Sequence, residues 1–175
     1  CDGQLVVARI TIPPDRNQIS QGEIEKILGN PGDPEIEYKI VVHKFGLGVE
    51  FSPDALREAD ELPDHVSIAD HPDREDLRNS PVFTIDGETA RDFDDAVSLN
   101  VLPSGSYLLG VHIADVSHYV GQNSALDLGA YERGTSVYFP DRVIPMLPPK
   151  ISSGICSLKP DVDRLVLSVF MDIDR

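Results

Sequence analysis

The chain has 175 residues, 41% of them hydrophobic and 26% charged, and its 30 acidic residues against 15 Lys plus Arg leave a formal charge of −15. Apolar residues recur throughout, which excludes a disordered chain, and the length suits one domain or a small domain with part of another. No stretch approaches the roughly 18 apolar residues of a membrane helix, and so large an acidic excess argues against a surface that grips nucleic acid through its phosphates.

The first fifty residues read as short β-strands, at Leu5–Ile10, Gly22–Leu28 and Ile36–Val42, all rich in β-branched residues. The turn-forming runs Pro13-Pro14-Asp15-Arg16-Asn17 and Gly29-Asn30-Pro31-Gly32-Asp33-Pro34 separate them. The pattern suggests the end of a small barrel, too short to close alone. Ser52-Pro53-Asp54 then opens a helix over Ala55–Leu62, with Ser as N-cap and Pro at the first helical position, and Pro63 stops it. Residues 51–80 hold nine acidic residues against three basic ones, the densest acidity in the chain. Within them Asp70–Ser80 has no periodicity and reads as a solvated polar connector.

From Pro81 the pattern changes. Val82–Ile85, Ala96–Leu99, Tyr107–Ala114 and Leu165–Ile173 are strand-like, and Ser124-Ala-Leu-Asp127 resembles a capping box opening a helix that ends near Gly134. The expected fold class is mixed α/β, of the α+β kind. With no initiator Met before Cys1 and strands still running at Arg175, the chain reads as a piece of something longer. Cys1 and Cys156 make no disulfide framework, so a reducing, cytoplasmic setting is expected, with Cys156 a small buried residue.

The informative stretch is Thr84-Ile-Asp86-Gly-Glu-Thr-Ala-Arg91-Asp92-Phe-Asp94-Asp95-Ala-Val97, with four aspartates in ten residues of otherwise strand-forming sequence. Two carboxylates at about 4 Å repel by up to ~4 kcal/mol at an effective dielectric near 20. A fold that gathers them needs a counter-charge, and an all-oxygen donor set suits Mg2+ or Mn2+. Along a strand Asp92 and Asp94 share a face and Asp95 points away, so bringing them together requires a bend at Phe93–Asp95, while Gly87 permits a tight turn after Asp86. Such a cluster serves displacement at phosphorus, with Arg91 placed to meet a phosphate or to balance the aspartates. Spacing alone leaves metal catalysis, a structural calcium site and a solvated acidic turn all open. The trio His112, Asp115 and His118 is too loosely spaced for a zinc site.

The aspartate stretch resembles the signature of the RNB-domain exoribonucleases, the ribonuclease II and ribonuclease R family. The resemblance continues through Val111–Val120, Arg133–Pro140, Arg142–Pro148, Ile155–Pro160 and Val162–Leu165, and is closer to the ribonuclease R branch. It implies that residues 1–46 are the closing part of a cold-shock, OB-type barrel and that 47–80 are a helix and acidic connector. Residues 81–175 are then the first part of an RNB catalytic domain. It further implies a monomeric, cytoplasmic parent that processively hydrolyses single-stranded RNA from the 3′ end to 5′-nucleoside monophosphates with Mg2+. Asp86, Asp92, Asp94 and Asp95 fall on the family's four aspartates, all intact, and Tyr138 on its base-stacking tyrosine. An aromatic platform grips any base through its π-face, although without the resemblance Tyr138 reads as a core residue. The family's downstream arginine and further acid lie beyond Arg175, so the chain alone is expected to be a poor nuclease. The alternative is an OB-type RNA-binding module with a structural divalent-metal site.

Overall fold

The computed structural model describes residues 2–88 and 90–174. Cys1, Thr89 of the aspartate stretch and Arg175 lie outside the described residues. The chain forms two compact units, Cys1–Val49 and Glu50–Arg175, and is a mixed α/β protein.

In the first unit, β1 (Leu5–Ile12) and β2 (Gln21–Gly29) form an antiparallel hairpin with register shifts along its length. The third expected strand, Ile36–Val42, is not a strand. It is the front of a helix, α1 (Ile36–Phe45), with Ile36 and Val42 on its buried side. β-branched residues favour strands only where a pleated partner surface exists. Here a local stop signal prevails: Gly46 adopts the left-handed conformation (φ 63°), and the Gly46 and Leu47 N–H groups close back on the His43 and Val42 carbonyls. Lys39 Nζ donates to the Leu28 carbonyl at 3.0 Å, tying the helix to β2.

The second unit opens with α2 (Pro53–Glu61), whose N-cap Ser52 Oγ accepts from Ala55 N. A four-stranded antiparallel sheet follows. It comprises β3 (Val82–Phe83), β4 (Asp95–Val101) and β5 (Tyr107–Ala114) in that order, with a later strand, β8 (Val166–Ile173), beside β5. Between β5 and β8 come the single turn α3 (Val116–Tyr119), α4 (Ala125–Arg133), and a short hairpin of β6 (Val137–Tyr138) and β7 (Val143–Ile144). The expected cap Ser124 accepts from Asp127 N, and Gly134 (φ 72°) ends α4. Sequence does not reveal that Glu58 of α2 caps the same helix from outside. Its carboxylate accepts from Ala125 N and Leu126 N at 3.0 Å each, and these two bonds hold its pKa below the usual carboxylate value.

Small residues let α2 and α4 approach closely, and the core gathers Ala55, Ala59, Leu126 and Ala130 with Ala114, Leu147, Ile151, Ile155 and Cys156. Burial pushes the free Cys156 thiol up to about 11, so it is an inert core residue. No helix among the described residues is long and apolar enough to cross a membrane.

Asp70–Ser80 is irregular, as its composition predicts, but it is not free in solvent. Arg74 donates to the buried Asp115 carboxylate at 2.6 Å and to the Val166 carbonyl at 3.3 Å. Arg78 pairs with Asp76 at 2.6 Å and reaches Asp163 at 3.7 Å. Desolvation works to raise the Asp115 pKa, but its bonds from Arg74, Ser117 and His118 outweigh this and leave it lowered.

His112, 1% exposed, sits inside the sheet between two hydroxyls, Ser98 Oγ at 3.0 Å and Ser168 Oγ at 2.8 Å. A Cβ on Gly110 would stand 2.4 Å from Ser98 Oγ and 2.9 Å from His112 Nε2, so this cluster needs glycine at that position. Burial lowers the His112 pKa. The folded state therefore prefers neutral imidazole, while the unfolded chain takes up a proton near pH 6.5. Stability is full above that pH and declines as pH falls toward the folded value, by at most about 1.4 kcal/mol per pH unit. Denaturant unfolding between pH 7.5 and 5 should show this acid-side slope, and His112→Gln should flatten it. Equal slopes in the two proteins would show that His112 is not the group responsible.

Candidate active site

The site is built where the chain enters β4. That strand begins at Asp95, paired with Ile113, so Asp92 and Asp94 lie ahead of it in an irregular segment. The strand-face argument for these two aspartates therefore does not apply. The segment is held from behind instead. Ser157, fully buried, accepts from Phe93 N at 3.1 Å and donates to the Arg91 carbonyl at 2.9 Å. Leu158 N donates to the Phe93 carbonyl and Ala114 N to the Asp94 carbonyl, each at 2.9 Å. These bonds leave the aspartate side chains on the outer side of a fixed loop. On the other flank, Ala90 N closes a turn onto the Gly87 carbonyl at 3.0 Å. Gly87 is not among the glycines with positive φ, so the turn after Asp86 does not need its conformational freedom.

Asp94 is the electrostatic focus. Partial loss of hydration raises its pKa first, followed by the negative charges of Asp92, Asp95 and Asp86 in that order. The charges acting on it are all of one sign. This donor set, carboxylate oxygen throughout, fits a hard divalent cation, and the one-signed field on Asp94 is what such an ion offsets. Among the described residues, however, no three His, Cys, Asp or Glu side chains stand close enough together to share one ion. The four aspartates are thus near enough to repel one another without being drawn to a common point.

Tyr138, at the end of β6, is 67% exposed and not a core residue. Its hydroxyl donates to Asp92 Oδ2 at 2.7 Å. That bond raises the phenol pKa first, with desolvation and the charges of Asp92 and Asp94 adding to it. The ring therefore stands at the edge of the carboxylate cluster with its face open to solvent. Arg91 is exposed on the same loop. The His112, Asp115 and His118 trio is dispersed: His112 is bonded to serines, Asp115 to Arg74, and the His118 ring packs edge-on against His71 and Tyr119. Sequence reasoning missed Ser157, since a serine 64 to 66 residues from its partners carries no local signal.

The chain matches the RNB domain over residues 74–175 and a cold shock domain over residues 1–52. It is 51% identical to ribonuclease R of Thermotoga maritima over 98% of this chain and 24% of that protein. It is 47% identical to ribonuclease R 1 of Lactococcus lactis over 97% of this chain and 21% of that protein. The fold superposes on Mycoplasma genitalium RNase R in complex with double-stranded RNA with a TM-score of 0.83. That match has 29% identity and covers 97% of this chain and 30% of the other. The chain thus spans about a quarter of the length of the curated relatives it matches.

Because the Asp94 pKa is raised, the carboxyl favours folding while protonated, and that stability is lost as pH rises through the folded value. In metal-free buffer at neutral pH, Asp94→Asn should therefore raise the thermal midpoint of the chain, with a gain that shrinks as the pH is lowered. A midpoint unchanged or reduced at pH 7 would show that repulsion at Asp94 is not felt by the fold.

Proposed function

The chain belongs to the RNB-domain family, and from that premise we propose that it carries the aspartate site of an exoribonuclease that degrades single-stranded RNA processively from the 3′ end to 5′-nucleoside monophosphates. The observation that carries this reading is negative charge converging on Asp94 beside an exposed tyrosine tied to Asp92. Solvated acidic turns do not hold an aromatic ring at their edge by its hydroxyl.

Asp86, Asp92, Asp94 and Asp95 are the residues that would hold Mg2+, or Mn2+ in its place, and such an ion would supply an activated water and stabilisation of the departing oxygen at phosphorus. The chain's own residues do the positioning. The Tyr138 ring stacks on the terminal base, a contact open to all four bases. Its hydroxyl bond to Asp92 fixes the ring relative to the carboxylates, so seating the base also sets where the last phosphodiester lies. Arg91 meets phosphate charge from the same loop. Ser157 keeps the loop backbone from moving as charge enters and leaves.

The test uses the full-length protein, end-labelled single-stranded RNA and Mg2+. Asp94→Asn should lower the rate of shortening by several orders of magnitude while leaving RNA binding nearly intact, and EDTA should abolish shortening in the parent. Continued shortening by the variant would refute the assignment. The 175-residue chain alone should shorten RNA poorly, since it spans a quarter of the length of its relatives. Vigorous Mg2+-dependent degradation by the purified chain would overturn that part of the proposal.

A further inference from the structure

We infer that Lys159, acting with Arg91, forms a notch that docks one phosphodiester of the RNA strand beside the aspartate loop, a reading that rests on the proposed function above. Three observations carry it.

The first is placement. Lys159 is far from the aspartates in sequence, but the two residues before it are the ones that hold their loop. Ser157 Oγ bonds to Phe93 N and to the Arg91 carbonyl, and Leu158 N bonds to the Phe93 carbonyl. Lys159 is delivered to the loop by the same contacts that fix it.

The second is shape. Arg91, Phe93, Ser153 and Lys159 line one open hollow of about 480 Å3, a volume in the range of small-ligand sites. Its lining combines two cations with an aromatic ring, and Phe93 lies between Asp92 and Asp94 in sequence. A phosphate with its attached sugar matches that combination of charged and apolar groups.

The third is charge bookkeeping. Lys159 also borders the larger neighbouring cavity, of about 860 Å3, whose other cations are all engaged. Arg74 is bound to Asp115, Arg78 to Asp76 and Asp163, and Arg164 to the carbonyls of Ser157, Asp163 and Gly154. Among the described residues, Lys159 and Arg91 form neither an ion pair nor a side-chain hydrogen bond. In a chain with twice as many acids as bases, two unpaired cations in one hollow are not needed to hold the fold. An RNA strand approaching four carboxylates is repelled unless positive charge meets its phosphates close by. Arg91 and Lys159 stand outside the field at Asp94, and the hollow they line offers a phosphate a cationic seat clear of the carboxylates.

The experiment measures binding of a single-stranded oligoadenylate to the full-length protein across a salt series, together with its Mg2+-dependent shortening. Lys159→Gln should weaken binding and make the slope of log affinity against log salt shallower by about 0.7, the value for one phosphate contact on a single strand. Lys159→Arg should retain the parent slope. In shortening assays Lys159→Gln should raise KM more than it lowers kcat. If the parent shortens RNA but Lys159→Gln keeps its salt slope and KM, the notch is refuted and the nuclease reading stands. If the parent binds RNA without shortening it and Lys159→Gln still flattens the slope, the notch stands and the nuclease reading falls. A parent that does not bind RNA overturns both.

Discussion

Gathering like charge costs free energy, and here that cost is met by backbone hydrogen bonds under the aspartate loop. Among the described residues, the charges acting on Asp94 are those of Asp92, Asp95 and Asp86, all in the same direction. What holds the loop is Ser157 bridging Phe93 N and the Arg91 carbonyl, with Leu158 N and Ala114 N donating to the Phe93 and Asp94 carbonyls. Each such bond is worth about 1 kcal/mol net, and repulsion between partly solvated carboxylates is of the same order. The balance explains why the loop keeps a defined backbone while its carboxylates stay apart. Tyr138 fits the same economy, since its hydroxyl gives Asp92 a donor that brings no positive charge.

The rest of the second unit gives that loop a rigid backing. Ser157 is itself fully buried and directly follows the core residues Ile155 and Cys156 in the chain, and Arg164 fastens the Ser157 and Gly154 carbonyls. Ala114, which bonds the Asp94 carbonyl, ends a strand whose next residue, Asp115, anchors Arg74 from the acidic connector. The connector is therefore part of the structure that positions β5, although its composition describes a linker. Removing charge at Asp115 would disturb the end of β5 before it disturbed any chemistry. Buried pairs of this kind are costly to break from one side because the other charge is left without a partner.

What was legible in the sequence was local. Ser52-Pro53, Ser124 to Asp127 and Gly134 marked α2 and α4 because caps act over three or four residues. Strand β5 was legible to the residue because β-branched and apolar residues run continuously between turn signals. Ile36–Val42 was misread because the same residue types fill a helix when Gly46 supplies its stop and Lys39 reaches the Leu28 carbonyl. At the site, the aspartates were legible as a cluster of like charge, through their number within ten residues. Their arrangement was not, because it depends on Ser157 and Leu158, whose contacts cross more than sixty residues. The exposure of Tyr138 was also hidden, since nothing in Ser136-Val-Tyr-Phe indicates which side of a two-residue strand meets solvent.

The charge of −15 suggested a chain unsuited to a polyanion, yet the sum conceals how the cations are used. Arg9, Arg57, Arg74, Arg78, Arg142 and Lys150 are each paired with carboxylates, and Lys39, Arg133 and Arg164 donate to backbone carbonyls, so at least nine of the fifteen Lys and Arg residues are engaged inside the fold or along its surface. Long-range attraction of a polyanion by this chain is then weak, and under the proposed function selection of the strand would fall to short-range groups at the aspartate loop. A neutralised ion pair leaves only a short-ranged dipolar field, whereas an unpaired cation acts out to about a Debye length, roughly 8 Å at physiological salt. Under the proposed function, a site of this kind would discriminate by whether a strand end can reach the loop and seat a base on Tyr138.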